Sequence, residues 1–254
     1  MKGWQIFAHS VRQIFANAGG VLRVSGFLFL VRTAVYGILA VAVAGGDSVA
    51  KAVVAGLMVL LVETGTSLWI AVGWHRYILL NEQPSVVPQL WLNRMLAYLG
   101  GGVVIGLIMI VPTLVIAWIT LALANVSIVG PSDLFSWSFQ IKAVLISAAV
   151  YIPVGAIALR LSTVMPGVAL REGRELFDGW NATKDQISTF LVASALGTAA
   201  YFSLDLAANY LLAITGSAVV VAVSDAIFQW LAMMVGFSIL TTLYGHYIEM
   251  RPLV

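Results

Sequence analysis

The chain alternates one short amphipathic stretch with six long apolar runs, which are separated by clusters of charge and turn-forming residues. The runs lie at about 26–46, 50–75, 95–124, 141–163, 187–213 and 218–246. A helix rises about 1.5 Å per residue, so each run is long enough to cross a hydrocarbon layer of about 30 Å. Transmembrane β-strands would instead give segments of about ten residues with alternating character. The pattern predicts an all-α integral membrane fold, with residues 1–254 forming one domain of six transmembrane helices. Turn residues mark the joints: Gly45-Gly46-Asp47 and Thr215-Gly216-Ser217 read as tight turns, and residues 125–140, with Gly130-Pro131-Ser132-Asp133, as a longer excursion. In the third run Gly100-Gly101-Gly102 and Gly106 give a small-xxx-small pattern suited to close helix contact. Pro112 beyond it marks either a kink or a helix broken around a substrate.

Ahead of the first run, Trp4, Phe7, Ala8, Val11, Ile14, Phe15 and Ala18 recur at helical spacing, with Lys2, Gln5, His9, Arg12, Gln13 and Asn17 between them. This predicts an interfacial helix over residues 1–20, closed by Gly19-Gly20. It has no apolar core leading to a small-residue cleavage site, so the segment is expected to be retained. Trp4, Trp91 and Trp180 each stand just before a pair of runs, 87 and 89 residues apart. Two readings fit: three helical-hairpin repeats, or the general preference of tryptophan for a membrane interface.

Composition agrees with the pattern. Hydrophobic residues make up 61% and charged residues 9% of the chain, and mean hydropathy is +1.00. Too little polar surface remains to cover a soluble domain, and a net charge of +2 offers nothing to a nucleic acid. The absence of cysteine excludes disulfides, thiolate chemistry and cysteine-bound metals. Charge sets orientation: Lys2, Arg12, Arg23, Arg76, Arg94, Arg160, Arg171, Arg174, Lys184 and Arg251 fall on one side of the runs, Lys51 and Lys142 on the other. By the positive-inside rule both termini are expected in the cytoplasm.

Charges inside the runs are costly and mark candidate sites. Folding the first hairpin near residue 48 brings Arg32 level with Glu63, and Tyr36 and Ser67 lie one helical turn along from each. The two read as an intramembrane ion pair. Folding the last hairpin brings Asp205 beside Asp225, with Tyr201, Asp205 and Asn209 on one stripe and Asp225 and Gln229 on another. This is the candidate site for a proton or Na⁺, because two carboxylates in low dielectric need one or the other between them. A second partition fits equally: if the fifth run ends at Leu204 and the sixth begins at Ala226, both aspartates become solvated caps.

His9, His75 and His246 map to the cytoplasmic side, the last two at the ends of runs two and six. Even with Glu82 and Glu249 their spacing matches no metal or haem motif, so no cofactor and no metal is expected. No Ser-His-acid set or phosphate loop occurs either. The one enzymatic reading is a lipid-modifying site built from His75, Arg76 and His246. Residues 160–186 hold Arg160, Arg171, Arg174 and Lys184 against Glu172, Glu175, Asp178 and Asp185, which reads as a solvated loop helix or a docking surface.

Arg160-Leu161-Ser162, Pro166 and Trp180-Asn181-Ala182-Thr183-Lys184 resemble an R-x-S…P…W-x-x-T-[KR] pattern. It occurs in uncharacterised bacterial multi-helix inner-membrane proteins related to the membrane domain of some glycerophosphodiester phosphodiesterases. Leu243-Tyr244 before Arg251 is similar to their endings, so the likeness covers the second half. It implies a six-helix bacterial inner-membrane protein and carries over no catalytic residue, since that chemistry belongs to a separate soluble domain. The expected function is therefore non-enzymatic: an accessory, scaffold or assembly subunit. Membrane lipids are its expected surroundings, with a homo-oligomer or a larger membrane complex as its assembly. The alternative is a small proton- or sodium-coupled transporter or channel using Asp205 and Asp225.

Overall fold

The computed structural model describes residues 2–44, 48–124, 137–170 and 175–253. Among these the chain is helical and contains no strand. The helices are α1 (Lys2–Ala16), α2 (Ala18–Val21), a π-helical turn (Leu22–Gly26), α3 (Phe27–Val43), α4 (Val49–Leu80), α5 (Leu92–Ala124), α6 (Trp137–Ser162), α7 (Met165–Leu170), α8 (Leu176–Ala182), α9 (Ile187–Thr215) and α10 (Ala218–Tyr247). Six segments are long and apolar enough to cross a membrane: α2–α3 as one rod, α4, α5, α6–α7, α9 and α10. The chain is a multi-pass membrane protein.

Most spans outrun their sequence-derived bounds for definable reasons, while the first ends at Val43. The N-terminal helix breaks at Asn17, and Gly19-Gly20, expected to close it, lie inside α2. Gly20 serves close approach instead, because a Cβ there would overlap the Tyr77 ring. Helix α4 continues past His75 to a left-handed cap at Asn81 (φ 56°), since Glu82 neutralises Arg76 and the charge need not end the helix. Between α9 and α10 the turn is as tight as expected. Gly216 adopts φ +60°, and the Ser217 side chain accepts from the Val220 amide (3.4 Å). The Gly45-Gly46-Asp47 turn, the Gly130-Pro131-Ser132-Asp133 excursion, and Arg171, Glu172 and Arg174 lie outside the described residues. Helix α5 runs unbroken through Pro112, which rules out the broken-helix reading. Of its glycines only Gly101 meets a neighbour, Met165; Gly100, Gly102 and Gly106 face open space, where an added Cβ would meet none of the described residues within 4 Å. Trp180 lies in α8, but Trp91 precedes α5 in a non-helical stretch, so the supposed repeat has no interfacial helix in its second unit.

Packing is uneven along the bundle. At one end, called here the α1 end, Trp74, His75, Phe190, Leu243 and Tyr244 are fully buried. Toward the Gly216 end the burial fades, and the helices expose Leu57, Leu61, Leu107, Val111 and Trp118. Helix α1 lies across the packed end against α9 and α10. Its inner face is Gly3, Ile6, Ser10 and Ile14. The Ser10 hydroxyl lies 3.0 Å from Thr242 Oγ1, and Ser238 Oγ donates to Gln13 Oε1 at 2.6 Å. Trp4 and Phe15 are exposed on a second face, and Lys2, Gln5 and Arg12 on a third.

Candidate functional site: an intramembrane cleft

Helices α3, α4 and α10 line a cleft of about 850 Å³ that runs toward the Gly216 end. Several of its lining residues are small: Gly37 and Ala40 on α3, Ala222 and Ala226 on α10. A Cβ at Gly37 would meet nothing within 4 Å. The cleft exists because side chains that would fill it are missing. It extends from Val219 to Met233, about 21 Å along α10 at the usual helical rise.

At its floor Arg32 Nη1 donates to Glu63 Oε1 at 2.9 Å. Tyr36 donates to the other Glu63 oxygen, and Ser67 Oγ lies 3.4 Å from Oε1. Arg32 also contacts Met233 Sδ at 3.9 Å, which ties α3 to α10. The predicted pair and both of its predicted hydroxyl partners thus meet. The two ions differ in burial: the Arg32 side chain is 6% exposed, and that of Glu63 is 46% exposed on the cleft side. The cation is enclosed, while the carboxylate is offered to whatever enters.

Gln229 and Asp225 sit about one and two turns above Met233 on the α10 wall. Asp225 has no hydrogen bond or ion pair to any described residue. Both residues also line a second, nearly closed pocket of about 10 Å³ with Tyr201 and Asp205. Asn209 Nδ2 donates to the Asp205 carbonyl (3.0 Å) and carboxylate (3.3 Å). Four of the five predicted polar residues therefore gather at one spot, and Asn209 binds to its edge. The partition that ended the fifth run at Leu204 and began the sixth at Ala226 does not hold, because α9 runs to Thr215 and α10 begins at Ala218. The aspartates are therefore not helix caps; both are exposed. Asp225 lies about 10 Å in from the start of α10, and Asp205 about 15 Å from the end of α9, by the same rise. Met233 and the ion pair are about 12 Å deeper than Asp225.

The histidines do not share a site. His75 is fully buried, with Nδ1 2.8 Å from Thr241 Oγ1 and Nε2 3.1 Å from the Tyr98 hydroxyl. Thr241 already donates to the Phe237 carbonyl, so it accepts from Nδ1–H, and Tyr98 donates to Nε2. With both nitrogens engaged in the core, His75 cannot work at an interface, and the lipid-modifying reading falls. His9 and His246 line a separate cavity of about 220 Å³. Among the described residues no three His, Asp or Glu side chains converge as metal ligands would.

Two arginines at the α1 end are structural clasps that local periodicity did not reveal. Arg76 is bound by Glu82 and the Ala169 carbonyl, and its guanidinium lies 4.1 Å from the Trp91 ring centroid. Arg160 lies 3.7 Å from the Trp180 centroid and donates to Thr183 Oγ1 (3.2 Å) and the Trp180 carbonyl (3.1 Å). Its spacing from Trp180 and Thr183 was visible as a motif, though not as one contact cluster. The cleft itself gave no sequence signal, since α3 and α10 are far apart in the chain and its small residues register only as apolar. Comparison with protein-family models, with curated proteins and with solved structures finds no match to this chain.

Proposed function

We propose that the chain is a small proton- or sodium-coupled carrier of a bacterial inner membrane, with both termini in the cytoplasm and α1 resting in the cytoplasmic interface. The observation that supports it is the shape and chemistry of the cleft: open toward the Gly216 end, closed at the α1 end by packed aromatic residues, and floored at mid-helix by Arg32, Glu63 and Tyr36. A carrier holds its coupling charges near the bilayer midplane between one open and one closed side. In this reading Glu63 and Asp225 are the carboxylates that a coupling cation visits, and Asp205 is the acid behind them. The charge bias of the loops supports the orientation. The likeness of the Arg160–Lys184 motif to bacterial inner-membrane proteins supports the compartment. Nothing among the described residues favours the accessory-subunit expectation over this one.

The test is flux through the purified full-length chain in proteoliposomes. A pH or Na⁺ gradient should drive an ion movement that Asp225→Asn abolishes and Asp205→Asn slows. Vesicles that show no flux above protein-free controls, in both orientations of the gradient, would overturn the reading.

A further inference from the structure

The cleft has the chemistry of a receptor for a hydrophobic cation. Its walls are apolar and made of small residues, and its volume of about 850 Å³ is within the range of sites for drug-sized molecules. Its charges do not balance. Arg32 is enclosed and committed to Glu63, whereas the Glu63 carboxylate remains half-exposed. Asp225, about 12 Å nearer the Gly216 end, lines the same space with no hydrogen bond or ion pair to any described residue. One cation against two carboxylates leaves an excess of one negative charge along the cleft, with Asp225 exposed on its open side. An inorganic ion alone would satisfy the charge and leave the walls unfilled.

We propose that the cleft binds a monovalent organic cation with a bulky apolar body, taken up sideways from the bilayer between α3 and α10, its charge held between Asp225 and Glu63. Lateral entry follows from the exposed residues at its rim: Val219 and Val223 are 73% and 54% exposed, so no element among the described residues covers the opening on the α10 side. The proposal rests on the carrier reading of the same cleft and names the class of molecule carried.

The probe is tetraphenylphosphonium, paired with tetraphenylborate, which has nearly the same shape and the opposite charge. Both are titrated by equilibrium dialysis into the full-length chain in detergent. The phosphonium should bind saturably at one site per chain, and the borate should not. Asp225→Asn should weaken phosphonium binding about tenfold, the loss of one charge contact in a screened site. Gly37→Leu should abolish it by filling space in which a Cβ has no neighbour within 4 Å, so that the fold is undisturbed. Size-exclusion profiles matching the parent chain confirm that both variants are folded. Equal binding of the two ions, absence of saturable phosphonium binding, or unchanged binding in both variants would overturn the proposal. Saturable binding without any ion flux would overturn the carrier reading alone, and flux without phosphonium binding would overturn only the assignment of the carried class.

Discussion

Glu63 receives donors from Arg32, Tyr36 and Ser67, and Arg32 has Glu63 as its only acidic partner among the described residues. The pair is therefore unequal. Removing the carboxylate strands a guanidinium that is 6% exposed at the middle of the bundle, whereas removing both charges leaves nothing unpaired. Glu63→Ala should cost about 3–5 kcal/mol of stability, while Arg32→Leu combined with Glu63→Leu should lie close to the parent chain. Chemical denaturation of the three proteins in one detergent measures both. A double variant as unstable as the single one would mean that the pair contributes net stability rather than avoiding a penalty. This site was legible in the sequence because a short turn and a four-residue period determine which side chains meet in a hairpin. Met233 was not, since no local period connects residue 233 with residue 32.

The N-terminal helix shows where hydrophobic spacing alone misleads. Its apolar residues read as one face, yet the structure divides them: Ile6 and Ile14 turn inward with Gly3 and Ser10, and Trp4 and Phe15 turn outward. Glycine and serine mark helix contacts in membrane proteins because they admit a neighbouring backbone, and a hydropathy profile assigns them no such weight. A Cβ at Gly3 would lie 2.5 Å from the Thr189 carbonyl oxygen and 2.7 Å from Val192 Cβ. The first is backbone, so no change of rotamer relieves it. Gly3→Ala should destabilise the chain by about 1–3 kcal/mol through overpacking. Gly19→Ala, whose Cβ would meet nothing within 4 Å inside α2, should instead stabilise it by about 0.5–1 kcal/mol through reduced backbone entropy of the unfolded chain. Thermal unfolding of the two variants side by side reads the difference in sign. Equal shifts would mean that α1 is not docked on α9 in solution.

For the whole molecule, span number and helical class followed from run length, and the uneven closure of the bundle did not. Each span reads as apolar by its hydropathy, and buried side chains and polar contacts, such as Ser238 with Gln13 and His75 with Thr241, are what distinguish the sealed end. The chain contains no cysteine, so single cysteines placed in it report accessibility without background. Ala222→Cys lies on the cleft wall, Ser85→Cys in the exposed segment between α4 and α5, and Ser238→Cys in the fully buried end. With the Gly216 end outside, a membrane-impermeant maleimide added to intact cells should label position 222 and not 85. Opening the cytoplasmic side should expose 85, and 238 should react only after denaturation. Labelling of 85 but not 222 in intact cells would invert the topology derived from the arginines and lysines. Reactivity at 238 in the native membrane would mean that the α1 end is not closed. In that case the cleft would continue as a pore through the bundle, and conduction would replace alternating access as the mode of transport.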